Sequence, residues 1–194
     1  MSRKIIALCM FLLVAFKGFG QSQQALKLSD AAIALTKQKV VYDPVYFRIP
    51  YPNGDVPAGK GVCTDVIIRA YRAIGIDLQK NVHEDMKQNF NLYPKDWGKR
   101  TPDPNIDHRR VYNLMVFFAR KGVKKINSKN ALDYLPGDIV CWNLSGNISH
   151  IGLVVNKKSV DSKRYLIMHN IGKGQEISDC LGSWKVIGHY QYKV

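Results

Sequence analysis

From residue 135 to the C-terminus the chain reads almost continuously as strand. The runs "LPGDIVCWNL", "SHIGLVVNKK", "RYLIMHN" and "WKVIGHYQYKV" are rich in β-branched and aromatic residues and are separated by short polar turns. Strands joined by short links pair antiparallel, and such a sheet needs a second layer over its apolar face. The first half of the chain supplies helices for that layer. Residues 25–38 repeat at helical spacing through Leu28, Ala31, Ala32 and Leu35. Residues 63–74 place Val66, Ile67, Ala70 and Ile74 on one stripe, with Cys63 at the top and Gly75 as the stop. A further helix is expected after "NIDHRR", with Asp107 as N-cap, Val111, Leu114, Met115 and Phe118 on its buried face, and Gly122 ending it. Between the first two helices, "VYDPVYFRIPYPNGDVPAGKG" reads as a long, partly extended loop that delivers the chain to Cys63. The expected fold class is α+β, with an N-terminal core helix bearing the cysteine packed on an antiparallel sheet.

The N-terminus sets the redox context. "MSRK" precedes the apolar run "IIALCMFLLVAF", and small residues with a polar stretch follow in "KGFGQSQQ". That is the layout of a secretory signal peptide over residues 1–20, cut after Gly20, with an uncleaved anchor as the alternative. Residues 21–194 are then one domain, without repeat or linker, and without a later apolar run long enough to span a bilayer. The expected location is the bacterial periplasm or the outside of the cell, and the expected state is a monomer. Export leaves Cys63, Cys141 and Cys180, an odd number in an oxidising compartment. One arrangement pairs Cys141 with Cys180 and leaves Cys63 free; three reduced, buried cysteines are the other. The formal net charge of +14 draws the chain to anionic polymers. Its basic residues are scattered in pairs such as Lys124–Lys125 and Lys157–Lys158, with no nucleic-acid fold signature around them. Nucleic acid is therefore not the expected partner, and cell-wall polymers are.

Period two decides which side chains share a face. His150, Gly152 and Val154 point to one side of their strand, and Tyr165, Ile167 and His169 to one side of theirs. If these strands are antiparallel neighbours, His150 and His169 come side by side. A helix N-terminus carrying Cys63 and packed over this face completes a Cys-His-His constellation. The helix end and an imidazolium would lower the thiol pKa, His150 would take the thiol proton, and His169 would hold His150 in the right tautomer. The structural alternative is a helix-top cysteine buried for packing and two histidines satisfied within a sheet.

The cysteine that opens the core helix, followed by "PGDIVCW", "SHIGLVV" and "YLIMHN", resembles the NlpC/P60 and CHAP groups of papain-like peptidases and amidases. The resemblance is closer to the DUF1287 (YijF-like) family of exported proteins. Its marks are "GVCTDV" (61–66), "NIDHRR" (105–110), "PGDIVCW" (136–142), "SHIGLV" (149–154), "HNIG" (169–172) and "GHYQY" (188–192). By that likeness the fold is papain-like, Cys63 is the nucleophile, His150 the base and His169 the orienting residue. Asn170 takes the orienting role if the register shifts by one. The sequence departs from the NlpC/P60 pattern where Thr64 and Asp65 follow Cys63 in place of serine and glycine.

"NIDHRR" has no counterpart in that general pattern. Arg109 and Arg110 could grip a substrate carboxylate, with Asp107 and His108 bracing the site; the plainer reading is a capped helix with a solvated basic first turn. His83 and His189 carry less weight, in a surface turn or short helix and in the terminal strand. The leading expectation is a cysteine hydrolase of peptide or amide bonds in peptidoglycan stem peptides, needing no metal or cofactor. The alternatives are a zinc site built from the same Cys and His residues, and a non-catalytic wall-binding module.

Overall fold

Helix α2 (Cys63–Ala73) is buried at every position from Cys63 to Tyr71, so it is a central helix and not a surface one. Apolar Val66, Ile67, Ile68, Ala70 and Tyr71 wrap most of its circumference. Its first turn is closed by Asp65, whose Oδ2 accepts the Val62 N–H at 2.7 Å and whose charge suits a helix N-terminus. It ends where Gly75 adopts φ +87°; the Gly75 N–H reaches Arg72 O and the Ile76 N–H reaches Tyr71 O, both at 3.0 Å.

The computed structural model describes residues 23–95, 98, 100–146 and 148–192. The signal segment expected at 1–20 lies outside the described residues. Helix α1 runs through residues 23–34 and buries Leu28 and Ala32. Helix α3 (Leu78–Asn89) packs beside α2, and α4 (Val111–Lys121) packs against α3 and the sheet. The stop at Gly122 is as expected, but Asp107 does not cap α4. It opens a separate 3-10 turn, Asp107–Arg109, and accepts the Asp103 N–H at 2.7 Å, while Arg110 occupies the N-cap position of α4.

Strands β1 (Val41–Tyr42) and β2 (Lys60–Gly61) form a short parallel pair that flanks the 43–59 loop. That loop is pinned: Gln79 accepts the Gly54 N–H and donates to Pro50 O, and Arg72 donates to Gly54 O. The main sheet contains β3 (Val123–Lys124), β4 (Ile139–Ser145), β5 (Ile148–Lys158), β6 (Tyr165–Asn170), β7 (Gln175–Ser178) and β8 (Lys185–Gln191). Its order is β3-β8-β4-β5-β6-β7, with every neighbouring pair antiparallel. The chain is thus a mixed α+β fold with helices packed on an antiparallel sheet. The last strand does not pair with β7, which precedes it in the chain; it crosses back to lie between β3 and β4.

Both faces of the sheet are buried, in different company. Ile139, Cys141, Ile151, Leu153, Val155 and Met168 join one core with the helices. Val140, Trp142, Val154 and Ile167 join a second with Tyr134, Cys180 and Leu181. The pairings Cys141↔Ile151 and Trp142↔His150 put adjacent residues on opposite faces. We call these the helix face and the outer face. The choice of helix face follows from the strands themselves. Ile151, Leu153 and Val155 form an uninterrupted apolar row, and burying three such side chains stabilises the fold by roughly 5–9 kcal/mol. The other row of β5 interrupts its apolar surface with His150 and Gly152, and pressing imidazoles onto the apolar stripe of α2 would cost about 1–3 kcal/mol per unpaired nitrogen.

Candidate functional site

The two histidines meet on the outer face. His150 comes from β5 and His169 from β6, and Gly152 makes the approach possible. A Cβ on Gly152 would stand 2.5 Å from Ile167 Cγ2 and 3.3 Å from His169 Cβ. With that space open, His150 Nε2 lies 2.9 Å from His169 Nδ1, the rings at 79°. The other nitrogen of His169, Nε2, lies 2.6 Å from Ser178 Oγ and 3.6 Å from Cys180 Sγ. Ser178 ends β7 and Cys180 follows two residues later, so the far edge of the sheet supplies the hydroxyl and the thiol.

Burial sets the protonation of this cluster. It pushes the His150 imidazole down to about 3, helped by the neighbouring His169. It lowers His169 as well, with the Glu176 charge partly opposing. Both rings are neutral near pH 7, which one base in a proton relay requires. Burial raises the Cys180 thiol; a hydrogen bond with Ser178 opposes this, and the charges of Asp179 and Glu176 add to the rise. At rest Cys180 is a thiol beside a neutral imidazole. When His169 Nε2 accepts from the thiol or the hydroxyl, its proton sits on Nδ1 and is donated to His150 Nε2. Two tryptophans wall the pair: the Trp142 and Trp184 rings are centred 5.9 and 6.0 Å from that of His150.

Cys63 is elsewhere. It opens α2 as expected but lies on the helix face, in the core that contains Cys141 and Ile151. The backbone N–H groups of Ile151, Thr64 and Cys63 itself favour its thiolate, yet burial dominates and pushes the thiol up to about 11. Among the described residues it makes no hydrogen bond to either histidine. The expected Cys63-His150-His169 constellation is therefore split by the sheet, because α2 packs on the Ile151 row and not on the His150 row.

The same parity corrects two further expectations. Cys141 is on the helix face and Cys180 on the outer face, and all three described cysteines are free, so Cys141 and Cys180 do not bridge. Asn170 also faces the helices, where its Nδ2 donates to Gly61 O at 3.2 Å, and it does not orient His150. The "NIDHRR" residues are structural for the most part. Arg109 is 6% exposed and forks onto Asp65 (Nε–Oδ1 3.0 Å, Nη2–Oδ2 3.1 Å) while donating to the carbonyls of Val45 and Asp43. That occupies the guanidinium expected to grip a substrate. Asp107 meets His83 Nδ1 at 3.2 Å, which gives His83 a role as a partner from α3. His108 is buried, with Nδ1 unpartnered, and burial with the Arg109 and Arg72 charges pushes it down to about 3. Arg110 is half-buried, and burial lowers its pKa.

Sequence reasoning missed Ser178 and Cys180 as partners of His169, because β7 is short and carries no strong period. It also missed a buried ion pair on the outer face. Asp138 of "PGD" is bound by His189 Nε2 at 2.7 Å, Lys125 Nζ at 3.0 Å and Gln191 Nε2 at 2.8 Å, and His189 Nδ1 faces Ile126 O at 3.1 Å. Among the described residues no cluster of three or more His, Cys, Asp or Glu side chains is arranged to hold a metal ion, and no helix is long and apolar enough to cross a membrane.

The sequence model of the family described as "Domain of unknown function (DUF1287)" matches residues 29–192. The chain is similar to "Uncharacterized protein YijF" of Escherichia coli (strain K12), at 46% identity over 174 residues, covering 90% of this chain and 84% of that protein. No solved structure matches the chain.

Proposed function

The chain belongs to the DUF1287 family, and we propose that it is a thiol hydrolase of peptide or amide bonds in which Cys180 is the nucleophile, His169 the general base and His150 the orienting residue. The observation that carries this reading is the unbroken line from Cys180 Sγ to His169 Nε2 at 3.6 Å and from His169 Nδ1 to His150 Nε2 at 2.9 Å. A mixed α+β domain with a buried cysteine beside a histidine pair is consistent with a hydrolase-like protein. In the reaction, His169 Nε2 takes the Cys180 proton as the sulfur bonds to the substrate carbonyl carbon. The imidazolium is held by its Nδ1–H bond to His150, then gives the proton to the leaving amine as the C–N bond breaks. Water, deprotonated by the same imidazole, attacks the thioester and releases the acid with the free thiol. Ser178 competes for the same lone pair, but a thiol is the more acidic donor and the stronger nucleophile near neutral pH.

The papain-like likeness assigns Cys63 as nucleophile and His150 as base; it supports the same class of chemistry, here with the two histidine roles exchanged and the nucleophile on the other face of the sheet. A leader of signal-peptide layout, and a net charge that stays at +11 once Arg3, Lys4 and Lys17 leave with it, favour an exported, monomeric enzyme acting on peptidoglycan stem peptides. The three N–H groups around Cys63 favour a second reading, in which Cys63 remains the nucleophile. One measurement separates the two. The mature protein is treated with a thiol-directed, peptide-like electrophile and the labelled cysteine is identified by mass spectrometry. Cys180 should label first, slowing about 10²- to 10⁴-fold in His169→Ala. Rapid labelling of Cys63 that depends on His150 would overturn the assignment.

A further inference from the structure

The outer face also carries a groove of about 690 Å3 that the chemistry above leaves unused. One wall is the 127–134 segment, with Lys129 and Tyr134; the other is the 179–186 turn, with Asp179, Leu181, Trp184 and Lys185. Both walls are held in place. The Tyr134 hydroxyl donates to Ser128 O at 2.8 Å, and its ring stacks on His189 with centroids 4.3 Å apart. The Trp142 Nε1–H donates to Leu181 O at 3.1 Å and fastens the turn to the sheet.

The charge of the groove is one-sided. Its acid, Asp179, is already forked by Arg164, at 2.6 Å from Nε and 2.5 Å from Nη2. Lys129 and Lys185 are exposed on opposite walls and have no acidic partner among the described residues. The groove also adjoins the thiol cluster. Cys180 lies between two lining residues, Asp179 and Leu181, and the lining Trp184 has its ring 6.0 Å from that of His150.

We propose that this groove is the substrate-binding site and that it takes a carboxylate-bearing peptide, with Lys129 and Lys185 pairing to its acids and Trp184 and Tyr134 flanking its chain. The proposal rests on the thiol-hydrolase reading only in that the bound peptide must present its bond to Cys180. Binding is measurable without turnover. Tetraglutamate is titrated into the mature protein by calorimetry at low salt, with tetraglutamine as the neutral control. Wild type should bind tetraglutamate and not tetraglutamine, and Lys129→Gln with Lys185→Gln should weaken binding about tenfold. Lys129→Glu with Lys185→Glu should reverse the preference toward tetralysine, and Cys180→Ala should leave tetraglutamate binding intact. Equal binding of both peptides, or a charge-reversed variant that still prefers tetraglutamate, would refute the groove. Intact binding with an unreactive Cys180 would remove the hydrolase reading alone, and a reactive Cys180 without peptide binding would remove the groove alone.

Discussion

Gly152→Ala tests whether the close passage of β5 and β6 is what builds the histidine pair. The added Cβ would stand 2.5 Å from Ile167 Cγ2 and 3.2 Å from Met168 O, where carbon atoms normally rest about 3.5–4.0 Å apart. Ile167 is fully buried and has no open side to turn toward, so β6 must retreat by about 1 Å. Overpacking of this kind costs about 1–3 kcal/mol. For a domain of this size that lowers Tm by about 2 °C to about 12 °C. The same retreat takes the 2.9 Å contact between His150 and His169 beyond hydrogen-bond range. An orientation error of that size costs up to about 10²-fold in rate. Thermal unfolding followed by circular dichroism and the labelling rate of Cys180 read the two effects separately. Adding Ile167→Leu removes the β-branch that meets the new methyl, so the double variant should regain part of both losses. A Gly152→Ala protein with unchanged Tm and unchanged labelling, or a double variant that is merely additive, would refute this account of the site.

Two further outcomes are expected. His150 is held down to about 3 from an ordinary value of 6.5, so the unfolded chain binds its proton first. Its contribution to stability is present above pH 6.5 and is lost as pH falls toward about 3, by up to ~1.4 kcal/mol per pH unit. Urea midpoints measured across that window should show the slope, and His150→Asn should reduce it, the share of His108 and His169 remaining. Arg109→Ala leaves the 3%-exposed side chain of Asp65 as an unpaired buried charge. It should cost about 3–5 kcal/mol in urea unfolding while leaving tetraglutamate affinity unchanged; a weakened affinity with unchanged stability would restore the substrate-clamp role to Arg109.

Much of the architecture was readable along the chain. The stripe of α2, its stop at Gly75, the strands beginning at Ile139, Ile148, Tyr165 and Lys185, and the shared side of His150 and Gly152 all follow from local periodicity. The crossing of β8 back to β4 did not, because a strand's pattern carries no label for its neighbour. The third partner of the histidine cluster was equally hidden. Ser178 and Cys180 become visible only once β7 pairs with β6 and brings them to His169.

Local sequence thus settled that His150 and His169 share a side with each other if their strands pair, and that Cys63 heads a buried helix. Only the folded chain decided which side that helix covers. Period two sorts side chains into two rows and is silent about which row meets which layer; that choice is made by the total apolar area each row can offer. The Ile151, Leu153 and Val155 row took the helices, and the histidines were left to the outer face with Cys180.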